Sequence, residues 1–240
     1  MHVFWSALSS SPYWKGALLA LALAAASLAI ALVLGFFLAL GRFSRFRVVR
    51  GIVFFYNWIF RATPTLLQLL FIWNALPLLW PVFAEDWFKP FIAALVALSL
   101  NEAAYMCEII RAGLLSVDPG QELAGRALGM PRRAILRRVI VPQAVRIVIP
   151  PTGNEFITLL KLTSLASVIS LQELLTSSEQ LAAVQFNYLE AYSAAIVYYL
   201  VIVSVLMLAQ SRLEQKFTWT SRRRVRVVAP AVPAIPHDAR

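Results

Sequence analysis

The sequence predicts an all-α, polytopic membrane bundle of about five spans, and three observations carry that reading. First, 60% of the 240 residues are hydrophobic and the mean hydropathy is +0.72, whereas a soluble domain is nearer about 45–50% apolar. Second, the apolar residues are concentrated. Runs 16–40, 62–84 and 191–211 contain no charged side chain, and each exceeds the roughly 20 helical residues that cross a ~30 Å hydrocarbon core. Third, the arginines fall between the runs rather than within them.

The first span is expected over 16–40. Its small residues at 24–26 would suit a cleaved leader, but such leaders carry a basic start and a short apolar stretch. Here Lys15 is the lone early charge and the arginines follow the run, so an uncleaved helix is expected. Segment 42–60 mixes Arg42, Arg45, Arg47 and Arg50 with Phe43, Phe46, Phe54, Phe55, Tyr56 and Trp58. That composition suits an amphipathic stretch lying at the cytoplasmic interface. Thr63-Pro64 reads as an N-cap followed by proline at the first helical position, which starts the second span near Pro64. Trp73, Trp80 and Trp87 then fall toward its outer half.

Two further spans, 91–113 and 147–175, are long enough but charged. One holds Glu102, Glu108 and Arg111; the other holds Glu155, Lys161 and Glu173. The fifth is 191–211. Arginine and lysine accumulate in cytoplasmic loops. Arg42–Arg50, Arg126–Arg138 and the residues from Arg212 to Arg226 would all share one side of five alternating spans. The stretch from Glu173 to Glu190 has acids and no base. The N-terminus is therefore expected outside and the C-terminus in the cytosol. The expected division is a membrane domain over 14–213 and a basic, Pro/Ala-rich cytoplasmic tail over 214–240.

Loop 118–142 is the most informative stretch. Asp118 is a candidate N-cap, Pro119 suits the first helical position, and Gln121 stands where a capping box places its partner. The helix should run through Leu128 and stop at Gly129 in a left-handed conformation. Leu123, Ala124, Ala127 and Leu128 share one face. So short a helix needs support: its apolar face either packs on the chain's own helix ends or docks into a partner. Pro131 should open a second helix over 132–141, with Pro142 breaking or kinking the chain as it re-enters the membrane.

Several functions are disfavoured. Cys107 is the single cysteine, and with two scattered histidines it makes no metal site. The net charge of +10 is explained by loop arginines rather than by a nucleic-acid surface. No Gly-x-x-x-x-Gly-Lys-Ser/Thr phosphate loop occurs, so ATP is not expected to bind here. Without His-x-x-x-His or Gly-x-Ser-x-Gly, a membrane-embedded enzyme is disfavoured. A channel or secondary transporter would accommodate the intramembrane charges, but would not need the capped loop helix.

That loop resembles the EAA loop of bacterial ABC importer permeases. In the family a Glu-Ala-Ala helix precedes a glycine, nine residues and Ile-x-Leu-Pro; here Gly129 precedes nine residues and Val139-Ile140-Val141-Pro142. The likeness extends to Arg61-Ala62-Thr63-Pro64 with Gln68, Glu108-Ile109-Ile110-Arg111-Ala112-Gly113, Pro142-Gln143-Ala144, Pro150-Pro151 and Thr163-Ser164-Leu165. These are similar to the polar amino acid branch (histidine, glutamine and glutamate permeases) over roughly 15–213. There are two departures. Leu123-Ala124-Gly125 aligns with Glu-Ala-Ala, leaving Glu122 one position early. Leu162 follows Lys161 where the family commonly has an acid.

The resemblance implies a type I importer permease in the bacterial inner membrane, transporting an amino acid. It implies a second permease subunit, same or related, and an extracytoplasmic binding protein. ATPase subunits holding ATP and Mg would dock on Gln121, Glu122, Leu123, Ala124, Gly125, Ala127, Leu128 and Gly129. Charges at mid-membrane are costly and face protein or water. Glu102, with Tyr105 one turn on, either lines the path and meets the substrate ammonium or is structural, in a pair with Lys161 or a helix-packing hydrogen bond. Asn154, Thr158 and Lys161 share one helical face beside Glu155, as a path lining or a subunit interface. Glu108 and Arg111 are expected to pair locally.

Overall fold

The computed structural model describes residues 2–218, and they are helical almost throughout. Helix α1 (His2–Ser9) leads into α2 (Ser11–Arg42). At 1.5 Å per residue α2 rises ~48 Å, well beyond the hydrocarbon core. It is followed by α3 (Arg47–Ala62), α4 (Thr65–Asn74), a short α5 (Leu76–Leu79) and a 3-10 turn, Pro81–Ala84.

The second apolar run is thus not one helix. Arg47–Ala62 and Thr65–Leu79 meet at 104°. The bend follows from Pro64, whose ring forces the preceding residue out of the helical region; Thr63 is extended at φ −107°, ψ 145°. Nor does Thr63 cap α4, because Pro64 itself occupies the cap position and the Thr63 hydroxyl donates back to the Ile59 carbonyl at 2.8 Å.

Helix α6 (Pro90–Leu115) lies beside α2 and runs the same way. Ala20 and Ala24 share a core with Ala93, Ala94 and Ala97, and further along Ala31 and Ala39 join Ala103 and Met106. Close approach rests on small residues: a Cβ at Gly35 would lie 2.6 Å from the Met106 Cβ. Helix α3 runs back along α6. Tyr56 donates to the Leu100 carbonyl at 2.7 Å, and Asn101 donates to the Phe60 carbonyl at 3.0 Å. The end of α3 therefore reaches the middle of α6, so 42–60 is not confined to an interfacial position.

After α7 (Pro119–Ala127) come α8 (Arg132–Ile135), a π-turn (Leu136–Ile140) and α9 (Val141–Leu162). The helix opened by Pro131 is not broken at Pro142. The wider turn before it, with Val141 N–H bonded to the Leu136 carbonyl, accommodates a ring that an α-helical turn would exclude.

Helix α9 also stops well short of residue 175. A 3-10 segment, Thr163–Ile169, ends at left-handed Ser170 (φ 60°), and α10 (Leu174–Gln185) follows, its span bent by 48°. The expected acidic loop from 173 to 190 is therefore largely a packed helix. Glu173 is fully buried and caps it, accepting from Thr176 N–H at 2.7 Å and Leu175 N–H at 2.9 Å. Gly16 makes the seat: a Cβ there would meet the Glu173 backbone at 2.7 Å.

Helix α11 (Tyr188–Thr218) closes the bundle. It starts beside the start of α2, where Tyr13 donates to the Ala191 carbonyl at 3.0 Å. It runs opposite to α9, with Gln210 donating to the Pro150 carbonyl at 2.6 Å. Residues 214–218 are helix rather than tail, and 219–240 lie outside the described residues. Among the described residues three helices are long and apolar enough to cross a membrane, or up to five if each bent pair counts as one span. The ends of α2, α6 and α11 and the start of α9 meet at one end of the bundle, and the arginine-rich segments gather there.

Candidate functional site

The first site is α7, at the basic end. Asp118 accepts from Gly120 N–H at 2.7 Å. The reciprocal bond expected of Gln121 does not form; Gln121 instead bonds through its backbone N–H to the Asp118 carbonyl at 2.9 Å. The helix ends at Ala127, one residue before expectation, with Leu128 as its C-cap. Gly129 adopts φ +71°. Gly129 N–H bonds to the Arg126 carbonyl at 2.9 Å and Met130 N–H to the Gly125 carbonyl at 3.0 Å, the paired closure of a Schellman motif.

The orientation of α7 follows from Gly125, which is buried on Ile135; a Cβ at that position would lie 2.9 Å from Ile135 Cγ1. The opposite face is bare: Leu123 is 66% and Leu128 80% exposed, and Ala124 and Ala127 are exposed as well. Among the described residues this face does not pack on the chain's own helix ends. Gln121 and Gly129 are exposed beside it. Glu122 is engaged by Arg126 one turn on.

The second site lies at mid-bundle. Glu102 is buried, and its Oε1 has no hydrogen-bond partner. The Glu102–Lys161 pair does not form; Lys161 is exposed and makes no ion pair among the described residues. Glu102 on α6 is buried and Glu155 on α9 half-buried, both within the membrane-spanning bundle. Asn154, Thr158 and Lys161 lie exposed along α9, with Glu155 half-buried at their edge. Tyr105 stands apart, under the Arg61 guanidinium at 5.5 Å.

Sequence reasoning did not find the knot that fixes this region. Gln68 donates to the Phe60 carbonyl at 3.0 Å and to the Thr63 hydroxyl at 2.8 Å. Asn101 donates to Phe60 and, at 2.9 Å, to Gln68 Oε1. Two amides tie the α3–α4 bend to α6, and their only signal in sequence was polarity inside apolar runs. Below the knot, Glu108 pairs with Arg111 at 2.8 Å as expected, and Asn57 donates to the same carboxylate at 3.1 Å.

An exposed capped helix at the basic end and carboxylates inside an all-helical membrane bundle fit the membrane subunit of a transporter. Residues 31–219 match the family of binding-protein-dependent transport system inner membrane components, and the chain belongs to that family. It is 42% identical to the arginine transport system permease protein ArgU of Corynebacterium glutamicum, over 92% of this chain and 74% of that protein. It is 38% identical to the arginine transport system permease protein ArtQ of Bacillus subtilis, over 84% of this chain and 90% of that one. The crystal structure of an amino acid ABC transporter with histidines is similar at 34% identity and a TM-score of 0.78, covering 85% of this chain and 94% of that chain. The fold is that of a type I importer permease in the inner membrane.

Proposed function

We propose that this chain is the permease subunit of an ATP-driven amino acid importer, coupled through α7 to a separate ATPase. The observation that carries this is the bare apolar face of Leu123, Ala124, Ala127 and Leu128 on a helix closed at both ends. A rigid short helix with two exposed leucines is built to enter a groove, as amphipathic helices do. The ATPase subunits hold ATP and Mg, and the basic end faces the cytosol, placing the N-terminus outside. An extracytoplasmic binding protein delivers the amino acid from the other side.

The polar face of Asn154, Thr158 and Lys161 is open in a single chain, which supports a second permease subunit, same or related, enclosing the path with it. Glu155 borders that path, with the buried Glu102 on α6, while Tyr105, one turn on from Glu102, lies under Arg61 instead. Two carboxylates at mid-depth favour a cationic amino acid, in keeping with the arginine permeases among the relatives. Substituting Leu123→Asp tests the coupling. The importer purified with its ATPase should lose most of the bound ATPase and of its uptake, while the permease stays folded. Undiminished co-purification and uptake would remove α7 from the interface.

A further inference from the structure

A charged cavity of 410 Å³ opens between α2, α3 and α6, lined by Arg42, Phe54, Asn57, Trp58, Arg61 and Glu108 among others. Its charge is unbalanced. Glu108 is satisfied by Arg111 at 2.8 Å and by Asn57, while Arg42 reaches it only at 4.0 Å. Arg61 forms no ion pair among the described residues and lies over the Tyr105 ring. Two guanidiniums are thus left facing one cavity with a single, already paired carboxylate. Asn57 is 6% exposed, and its Oδ1 is a buried acceptor without a partner, a costly state unless a ligand hydroxyl or N–H fills it.

The surroundings identify the ligand class. Phe54 is 60% and Trp58 57% exposed, and Ile52 and Phe55 are exposed on the same helix. In a membrane chain such a face meets acyl chains, and basic pockets between helices near the interface take anionic headgroups. We propose that this cavity binds an anionic phospholipid whose headgroup bears hydroxyls. Its phosphate sits between Arg42 and Arg61, a headgroup hydroxyl donates to Asn57 Oδ1, and its acyl chains lie along Phe54 and Trp58. Neither arginine belongs to α7 or to the polar face of α9, so the site is distinct from both.

The test measures lipid retained by the purified full chain after detergent exchange, using native mass spectrometry and added phosphatidylglycerol or phosphatidylcholine. Wild type should keep phosphatidylglycerol in preference to phosphatidylcholine. Arg42→Gln with Arg61→Gln should weaken that retention about 25-fold, two arginines at ~1 kcal/mol each with 1.4 kcal/mol per decade. Arg42→Lys with Arg61→Lys should keep most of it, as should Arg212→Gln. Equal retention of the two lipids by wild type overturns the proposal without any variant, and so does undiminished retention by the double glutamine variant. Displacement of the lipid by millimolar inorganic phosphate would make this a soluble-anion site instead. A disulfide between Trp58→Cys chains in membranes would show that a second copy covers the face.

Discussion

Gly125 of α7 rests directly on Ile135 of α8, and this one contact decides which way α7 faces. Any side chain at 125 must displace Ile135, which is itself 1% exposed. Gly125→Val should therefore cost ~1–3 kcal/mol of overpacking and rotate or lift α7. The expected outcome is weaker ATPase association with an unchanged bundle, read by co-purification and by the permease's melting temperature in detergent. The family's Glu-Ala-Ala places alanine where this chain has Gly125. The glycine thus marks a closer seat on Ile135 than that pattern would allow.

Gly129 holds the other end of α7. No atom crowds it, so the requirement is conformational: at φ +71° an L-residue costs about 1–2 kcal/mol. Gly129→Ala should loosen the Schellman closure while leaving its surroundings untouched. Faster proteolysis within 118–130 at unchanged global stability would show this. Equal cleavage rates in the two proteins would mean that the closure is held by other contacts.

These two glycines also show what was legible in the sequence. Asp118, Pro119 and Gly129 carry local backbone rules, so α7 was readable almost to the residue. The spans α2 and α11 were readable from uninterrupted apolar length, and α6 from its length despite Glu102, Glu108 and Arg111. What hydropathy does not encode is direction. The 104° bend at Pro64 and the π-turn that carries α9 past Pro142 depend on where neighbouring helices take up the freed backbone groups. Helix α10 was hidden for a related reason. Its buried face is serine, threonine and alanine around Glu173, a composition that reads as loop until Gly16 and Tyr199 are known to lie against it. The polar residues inside the spans were legible as types but not as partners: Lys161 is exposed and does not pair with the buried Glu102.

Asn101 is the keystone of the α3–α4 bend. Asn101→Ala removes donors to the Phe60 carbonyl and to Gln68 Oε1, both held inside the bundle. Leaving a buried acceptor unpaired costs ~1–3 kcal/mol. A measurable drop in melting temperature is expected, together with altered accessibility of a cysteine probe at Arg61. Gln68→Ala should reproduce much of the effect, and the double variant should cost less than the sum of the two, because they share one bond. Strict additivity would show that the two amides act independently.

The carboxylates give the sharpest test of substrate class. Glu155→Gln keeps size and hydrogen-bonding capacity and removes only charge. If Glu155 holds a cationic side chain, the loss of one charge-assisted bond, ~1.5–3 kcal/mol, lowers arginine uptake about 10- to 100-fold and leaves a neutral substrate such as glutamine nearly unaffected. Glu102→Gln should act in the same direction but more weakly, since Glu102 is 1% exposed and Glu155 is the more accessible of the two. Both variants should retain ATPase binding, because neither touches α7. Uptake of arginine and glutamine falling in parallel would instead assign the carboxylates to bundle architecture, and a further fall in melting temperature would accompany it.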